Sequence, residues 1–86
     1  MAKVTIYTRA FCPFCTRALK LLRDKQADFE EIDAGMDAGL RAEMMQRSGG
    51  GRTYPQILIG DAPIGGCDDL FALDRQGKLD AMLAAA

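Results

Sequence analysis

The chain reads as an α/β domain built on a four-stranded mixed sheet, with its elements in the order β-α-β-α-β-β-α. Three observations carry that reading. Short strand-like runs, the first of them alternating apolar and polar residues, recur between stretches with helix-like apolar spacing, the pattern of strands interleaved with helices. Glycines punctuate the junctions, at Ser48-Gly49-Gly50-Gly51, Gly60-Asp61 and Gly65-Gly66. The last two strand-like runs are separated only by Gly60-Asp61, so they pair as an antiparallel hairpin, whereas a helix separates the first two and calls for a parallel, right-handed crossover.

The first strand is Lys3 to Thr8, where Val4 and Ile6 alternate with polar neighbours. The spacing of Phe14, Ala18, Leu19, Leu21 and Leu22 predicts a helix from Pro13 to Lys25. Proline suits the first helical position, which makes Cys12 the N-cap. The second strand covers Asp28 to Ile32. A second helix spans Ala38 to Gln46, with Leu40 and Met44 four apart, and the glycine run after Ser48 ends it. The third strand is Gln56 to Ile59 and the fourth Ala62 to Ile64. A third helix follows from Asp68 to Arg75, and a final apolar stretch of Leu79, Met82 and Leu83 packs the C-terminus. No linker, repeat or low-complexity segment interrupts the chain, so residues 1–86 are expected to form a single domain.

At 86 residues and 49% hydrophobic composition, the chain can fill one modest core. No window approaches the ~20 apolar residues of a membrane-spanning helix. After Lys3 there is no long apolar stretch, so a signal peptide is not expected and a reducing, cytoplasmic location is. A net charge of −1 excludes a strongly basic nucleic-acid binder. Histidine is absent, which removes mixed Cys/His zinc sites and any Cys–His nucleophile–base pair. A backbone dipole or a cation must activate any thiol here.

Chemistry concentrates in Cys12-Pro13-Phe14-Cys15. Two cysteines three apart, after a strand and at a helix start, are laid out for thiol–disulfide exchange. The Cys12 sulfur would face unpaired N–H groups at the positive end of the helix, with Arg9 three residues earlier as a further cation. Cys15 lies one turn further in. Cys12 is therefore expected as the exposed nucleophile and Cys15 as the resolving thiol. The bland alternatives are a passive disulfide, whose loop is too short to stabilise much, or half a zinc site, which lacks two further ligands when only Cys67 remains.

Two other segments stand out. Thr53-Tyr54-Pro55 precedes the third strand, where a proline is ordinarily a structural turn. Gly65-Gly66-Cys67-Asp68-Asp69 joins two glycines to an acidic helix start. Taken alone that is an Asp-rich helix cap, with Cys67 a small helix-start residue. It also suits a zwitterionic amino-acid end, whose carboxylate meets helix N–H groups and whose ammonium meets an aspartate. Arg17, Lys20, Arg23 and Lys25 form a basic helix face, usually a solvated one, which beside a redox site could also steer anionic thiols.

In these three motifs, taken in order over essentially the whole chain, the sequence resembles the glutaredoxins, particularly the small bacterial glutaredoxin 3 type. The resemblance implies a thioredoxin-like fold and reduction of protein disulfides and glutathione mixed disulfides at the expense of glutathione, itself re-reduced by glutathione reductase. It implies that Pro55 is cis and faces the dithiol, and that the Tyr54 backbone pairs with the glutathione cysteine. It places Arg9 and Arg52 near the glycine carboxylate, Phe14 and Thr53 beside the tripeptide, and Gly66, Cys67, Asp68 and Asp69 at its γ-glutamyl end. No tightly bound cofactor or metal is implied, and a monomer is expected. Three departures are evident: Phe14 stands where the family usually has tyrosine, Tyr54 where valine is usual, and the Ser48 to Arg52 loop is one residue longer. Two alternatives remain open at this point: a related protein recharged by thioredoxin reductase, which Asp68-Asp69 disfavours, and an iron–sulfur carrier, which Pro13 disfavours.

Overall fold

A computed structural model describes residues 1–85. Its elements are β1 (Lys3–Thr8), α1 (Pro13–Asp24), β2 (Asp28–Asp33), α2 (Ala38–Arg47), β3 (Gln56–Ile59), β4 (Ala62–Gly65), α3 (Cys67–Arg75) and α4 (Leu79–Ala84). The four strands form one sheet in the spatial order β2-β1-β3-β4. β1 runs parallel to β2, with Val4 opposite Phe29, and antiparallel to β3, with Ile6 opposite Ile57. β3 and β4 form the antiparallel hairpin, with a register shift between Ile57 and Leu58.

The period-two alternation of β1 divides the core. Val4 and Ile6 face Ala18, Leu19 and Leu22 of α1, Leu70 of α3, and Leu79 and Leu83 of α4. Tyr7, with Leu58 of β3, faces Ala34 and Met44, so α2 covers the opposite side of the sheet. Successive side chains point to opposite faces, which is why one short strand can anchor helices on both.

Local chemistry sets the helix ends. Pro13 occupies the first turn of α1, and the Asp37 carboxylate accepts a hydrogen bond from the Leu40 N–H at 3.0 Å at the start of α2. α3 begins at Cys67, one residue earlier than expected. The apolar stretch at the C-terminus is itself a helix, α4, so the expected seven elements become eight. Leu79 and Leu83, four apart, lie on one face of α4 and are buried. The N–H of Ala2 bonds to the carbonyl of Leu83 at 3.0 Å, tying this helix to the chain start. Lys25, at the C-cap of α1, forms ion pairs with Asp74 of α3 at 2.6 Å and Asp80 of α4 at 2.8 Å.

Candidate active site

β1 delivers the chain to the loop Arg9-Ala10-Phe11, where Phe11 takes a left-handed φ of 55° and is fully exposed. Cys12 follows with extended dihedrals as the N-cap of α1, as the sequence predicts. Its carbonyl accepts the first helical bond from the Thr16 N–H at 3.1 Å, and the Thr16 Oγ1 also donates to it at 3.3 Å. The Cys15 N–H donates to the Cys12 Sγ at 3.3 Å. This is one of the helix's unpaired N–H groups, and it stabilises negative charge on the sulfur.

The sequence reading makes Cys12 exposed, and in this respect it is corrected. Cys12 is only 7% exposed, against 3% for Cys15. The covering element is the turn before β3: the Tyr54–Pro55 peptide is cis, and the Tyr54 carbonyl oxygen lies 3.8 Å from the Cys12 Sγ, where it accepts the thiol proton. The asymmetry between the thiols lies in their surroundings. Burial, and then the neighbouring Cys12 sulfur, push the Cys15 thiol up to about 12, against a smaller opposing pull from the Arg9 backbone. Cys15 therefore holds its proton at neutral pH. The Cys67 thiol is also raised, chiefly by burial, with Arg17 pulling it back.

A cavity of about 350 Å³ opens between this turn and the start of α3, lined by Phe14, Thr53, Tyr54, Pro55, Gly66, Cys67, Asp68 and Asp69. The structure thus gathers eight of the ten expected ligand-contact residues into one wall. The other two, Arg9 and Arg52, line a second cavity of about 790 Å³, together with Arg41 and Met45 of α2. Phe14, Thr53 and Tyr54 border both.

The two glycines admit this geometry. Gly65 has a φ of 106°, and a Cβ there would run into the Asp69 carboxylate. A Cβ on Gly66 would approach the Pro55 carbonyl to 3.3 Å, so glycine lets α3 start close against the cis turn. The Asp69 Oδ2 accepts the Gly66 N–H at 2.9 Å and caps the helix. Asp68 has no hydrogen-bond or ion-pair partner among the described residues. The two readings of the motif, helix cap and ligand contact, therefore fall on different aspartates.

Sequence reasoning missed two contributors. Gln56 is 7% exposed, and its Nε2 donates to the Thr53 carbonyl at 2.9 Å and to its Oγ1 at 3.1 Å, bracing the turn from within β3. A polar residue at the head of an otherwise apolar strand is the signal that marked it. Arg41 lies 26 residues after Cys15 on a helix of weak amphipathic pattern, and nothing in its local sequence connects it to the dithiol.

A sequence profile of the family described as Glutaredoxin matches residues 4–64. The chain belongs to the glutaredoxin family. It is 54% identical over 85 residues to the glutaredoxin of Pseudomonas aeruginosa, covering 99% of this chain and all of that one. It is 51% identical over 83 residues to glutaredoxin 3 of Escherichia coli strain K12, covering 96% of this chain and 99% of the relative. Among solved structures it is similar to a buckwheat glutaredoxin–glutathione complex, with a TM-score of 0.83 at 30% identity, covering 95% of this chain and 76% of that one. The expected thioredoxin-like fold and the resemblance to the bacterial glutaredoxin 3 type are borne out. As a glutaredoxin, the protein is a thiol–disulfide oxidoreductase.

Proposed function

We propose that this glutaredoxin draws its electrons from glutathione, with Cys12 as nucleophile and Cys15 as resolving thiol. The observation that carries the reading is the pairing of a helix-capped sulfur with the adjacent cavity, where the Tyr54 backbone, the start of α3 and the unpartnered Asp68 converge. The glutathione complex of the buckwheat relative supports it. In the cavity, N–H groups at the start of α3 take the γ-glutamyl carboxylate and Asp68 takes the ammonium.

The Cys12 thiolate attacks one sulfur of the substrate disulfide. A mixed disulfide forms, and the other sulfur leaves as a thiolate that takes a proton from water. With a protein disulfide, Cys15 gives up its proton and attacks the Cys12 sulfur, closing the Cys12–Cys15 disulfide and releasing the second substrate thiol. One glutathione thiolate then reopens that disulfide by bonding to Cys12, and Cys15 regains a proton. A second attacks the bound glutathione sulfur, leaving reduced Cys12 and glutathione disulfide, which glutathione reductase recycles. With a glutathione mixed disulfide, Cys12 takes the glutathione sulfur directly and the second glutathione resolves it without Cys15. Cys67, buried at the start of α3, serves as part of the cavity wall.

Among the described residues no helix is long and apolar enough to cross a membrane. The reading places the protein in the reducing cytoplasm as a monomer of one glutaredoxin domain, acting on disulfide-containing and glutathionylated proteins. The test is turnover of a small glutathione mixed disulfide coupled to glutathione reductase. Steady NADPH consumption that requires glutathione is expected. No turnover with glutathione, but rapid reduction by thioredoxin reductase, would transfer the protein to the other electron source.

A further inference from the structure

Tyr54 stands where the family usually has valine, and its side chain makes contacts that no valine could. The ring packs against the buried cluster of Tyr7, Ala34, Met44 and Leu58, and the hydroxyl donates to the Ala34 carbonyl at 3.3 Å. Ala34 is itself fully buried just after β2, and its N–H donates at 2.9 Å to the carbonyl of Thr8, the last residue of β1. β2 and β3 flank β1 on opposite sides. The Tyr54 side chain therefore spans from the turn before β3, across the end of β1, to the loop after β2.

Cys12 lies just beyond that strand end, with its Sγ 3.8 Å from the Tyr54 carbonyl oxygen. The contacts close a ring: Cys12 to Tyr54, Tyr54 to Ala34, Ala34 to Thr8, and Thr8 back to Cys12 along the chain. Gln56 braces Thr53 from within β3, but among the described residues only the hydroxyl of Tyr54 ties this turn by a side-chain hydrogen bond to the far side of β1. The N–H and carbonyl of Tyr54 make no backbone hydrogen bond among the described residues. An extended chain laid beside the turn can pair with both, within reach of the sulfur.

We infer that Tyr54, through its hydroxyl, is a positioning residue for thiol–disulfide exchange. It holds its own peptide groups at a fixed distance from Cys12, so that a substrate whose main chain pairs with them presents its disulfide to the sulfur. The inference deepens the proposed function, since it rests on Cys12 attacking a substrate whose backbone lies along Tyr54. It does not depend on the identity of the reductant.

The test is a single-turnover reaction of the fully reduced protein with two uncharged disulfides. One is the disulfide of N-acetylcysteine methylamide, which carries peptide groups on both sides of its sulfur; the other is 2-hydroxyethyl disulfide, which carries none. In each, the Cys12–Cys15 dithiol is oxidised to a disulfide while the substrate disulfide gains two electrons and two protons to become two thiols. The ratio of the two rates reports main-chain pairing and cancels changes in the thiols themselves. The wild type should favour the peptidyl disulfide about tenfold, and Tyr54→Phe, which keeps the ring, should lower that ratio about fivefold, as loss of one neutral hydrogen bond implies. Tyr54→Leu should lower it to a similar extent, and circular dichroism checks the fold of both. If Tyr54→Phe does not fold, the wild-type ratio decides. Equal rates in the wild type, or a wild-type ratio in Tyr54→Phe, would overturn the inference. A ratio lost only in Tyr54→Leu would overturn it too, since the ring and not the hydroxyl would then set the turn. If the ratios fall as expected but glutathione does not regenerate the dithiol, the positioning role stands and the electron source is what fails.

Discussion

Asp68 and Asp69 are neighbours of the same type with different partners, and substitution should separate them. Asp69 caps α3 through the Gly66 N–H, so Asp69→Ala should cost about 1 kcal/mol of stability. For a domain of this size that lowers the melting temperature by about 4–8 °C. Asp68→Ala should leave the melting temperature in place and raise KM for glutathione about tenfold, as loss of one charge-assisted hydrogen bond implies. Thermal melts and coupled kinetics on the two variants check this, and the reverse assignment would show as a stability loss in Asp68→Ala.

Cys15 makes a second prediction at this scale. Its thiol, pushed up to about 12 from an ordinary 9.0, ionises in the unfolded chain before it does so in the folded one. The resulting stabilisation is complete below about 9 and is lost as pH rises toward 12. Buried Tyr7 is shifted in the same direction, so the informative quantity is a difference between variants. Denaturant midpoints of the reduced protein should fall more steeply over this range than those of Cys15→Ser.

At the scale of elements, α2 is the helix that covers the Tyr7 side of the sheet and also shapes a wall of the site. It buries Met44 completely and rests Leu40 and Met45 on the Tyr7 cluster. The Tyr7 hydroxyl donates to the Glu43 Oε2 at 2.6 Å and accepts from the Arg47 Nη1 at 2.7 Å, joining two points one turn apart on α2. Tyr7→Phe keeps the ring in its buried place and removes both bonds. The expected loss is about 1.5 kcal/mol, with faster amide exchange confined to Ala38–Arg47 while α1 stays protected. Uniform acceleration across the sheet would mean that the hydroxyl supports the core rather than the helix. The seven expected elements were legible because the strands are short runs set off by turns or by helices, and the three expected helices are long enough to show helical spacing. α4 was not, because Leu79–Ala84 is six residues long and two buried leucines are too few to declare a period.

At the scale of the whole molecule, the dithiol sits where β1 hands over to α1, and the turn before β3 covers it from the neighbouring strand. The two thiols and the three motifs were legible because each is contiguous in sequence and chemically distinctive. Cys12's burial was not, because Tyr54 lies 42 residues away and reaches it only through the antiparallel pairing of β1 with β3. Arg41 was hidden for the same reason, since α2 returns it to the site from the opposite face of the sheet. The central claim is that Cys12, though largely covered, is the sulfur that takes glutathione. Its most direct test is peptide mapping by mass spectrometry of Cys15→Ser after exposure to glutathione disulfide. The account predicts one glutathione per chain, bonded to Cys12, with Cys67 unmodified. Glutathione found on Cys67, or a Cys12 that stays free while the fold is intact, would contradict it.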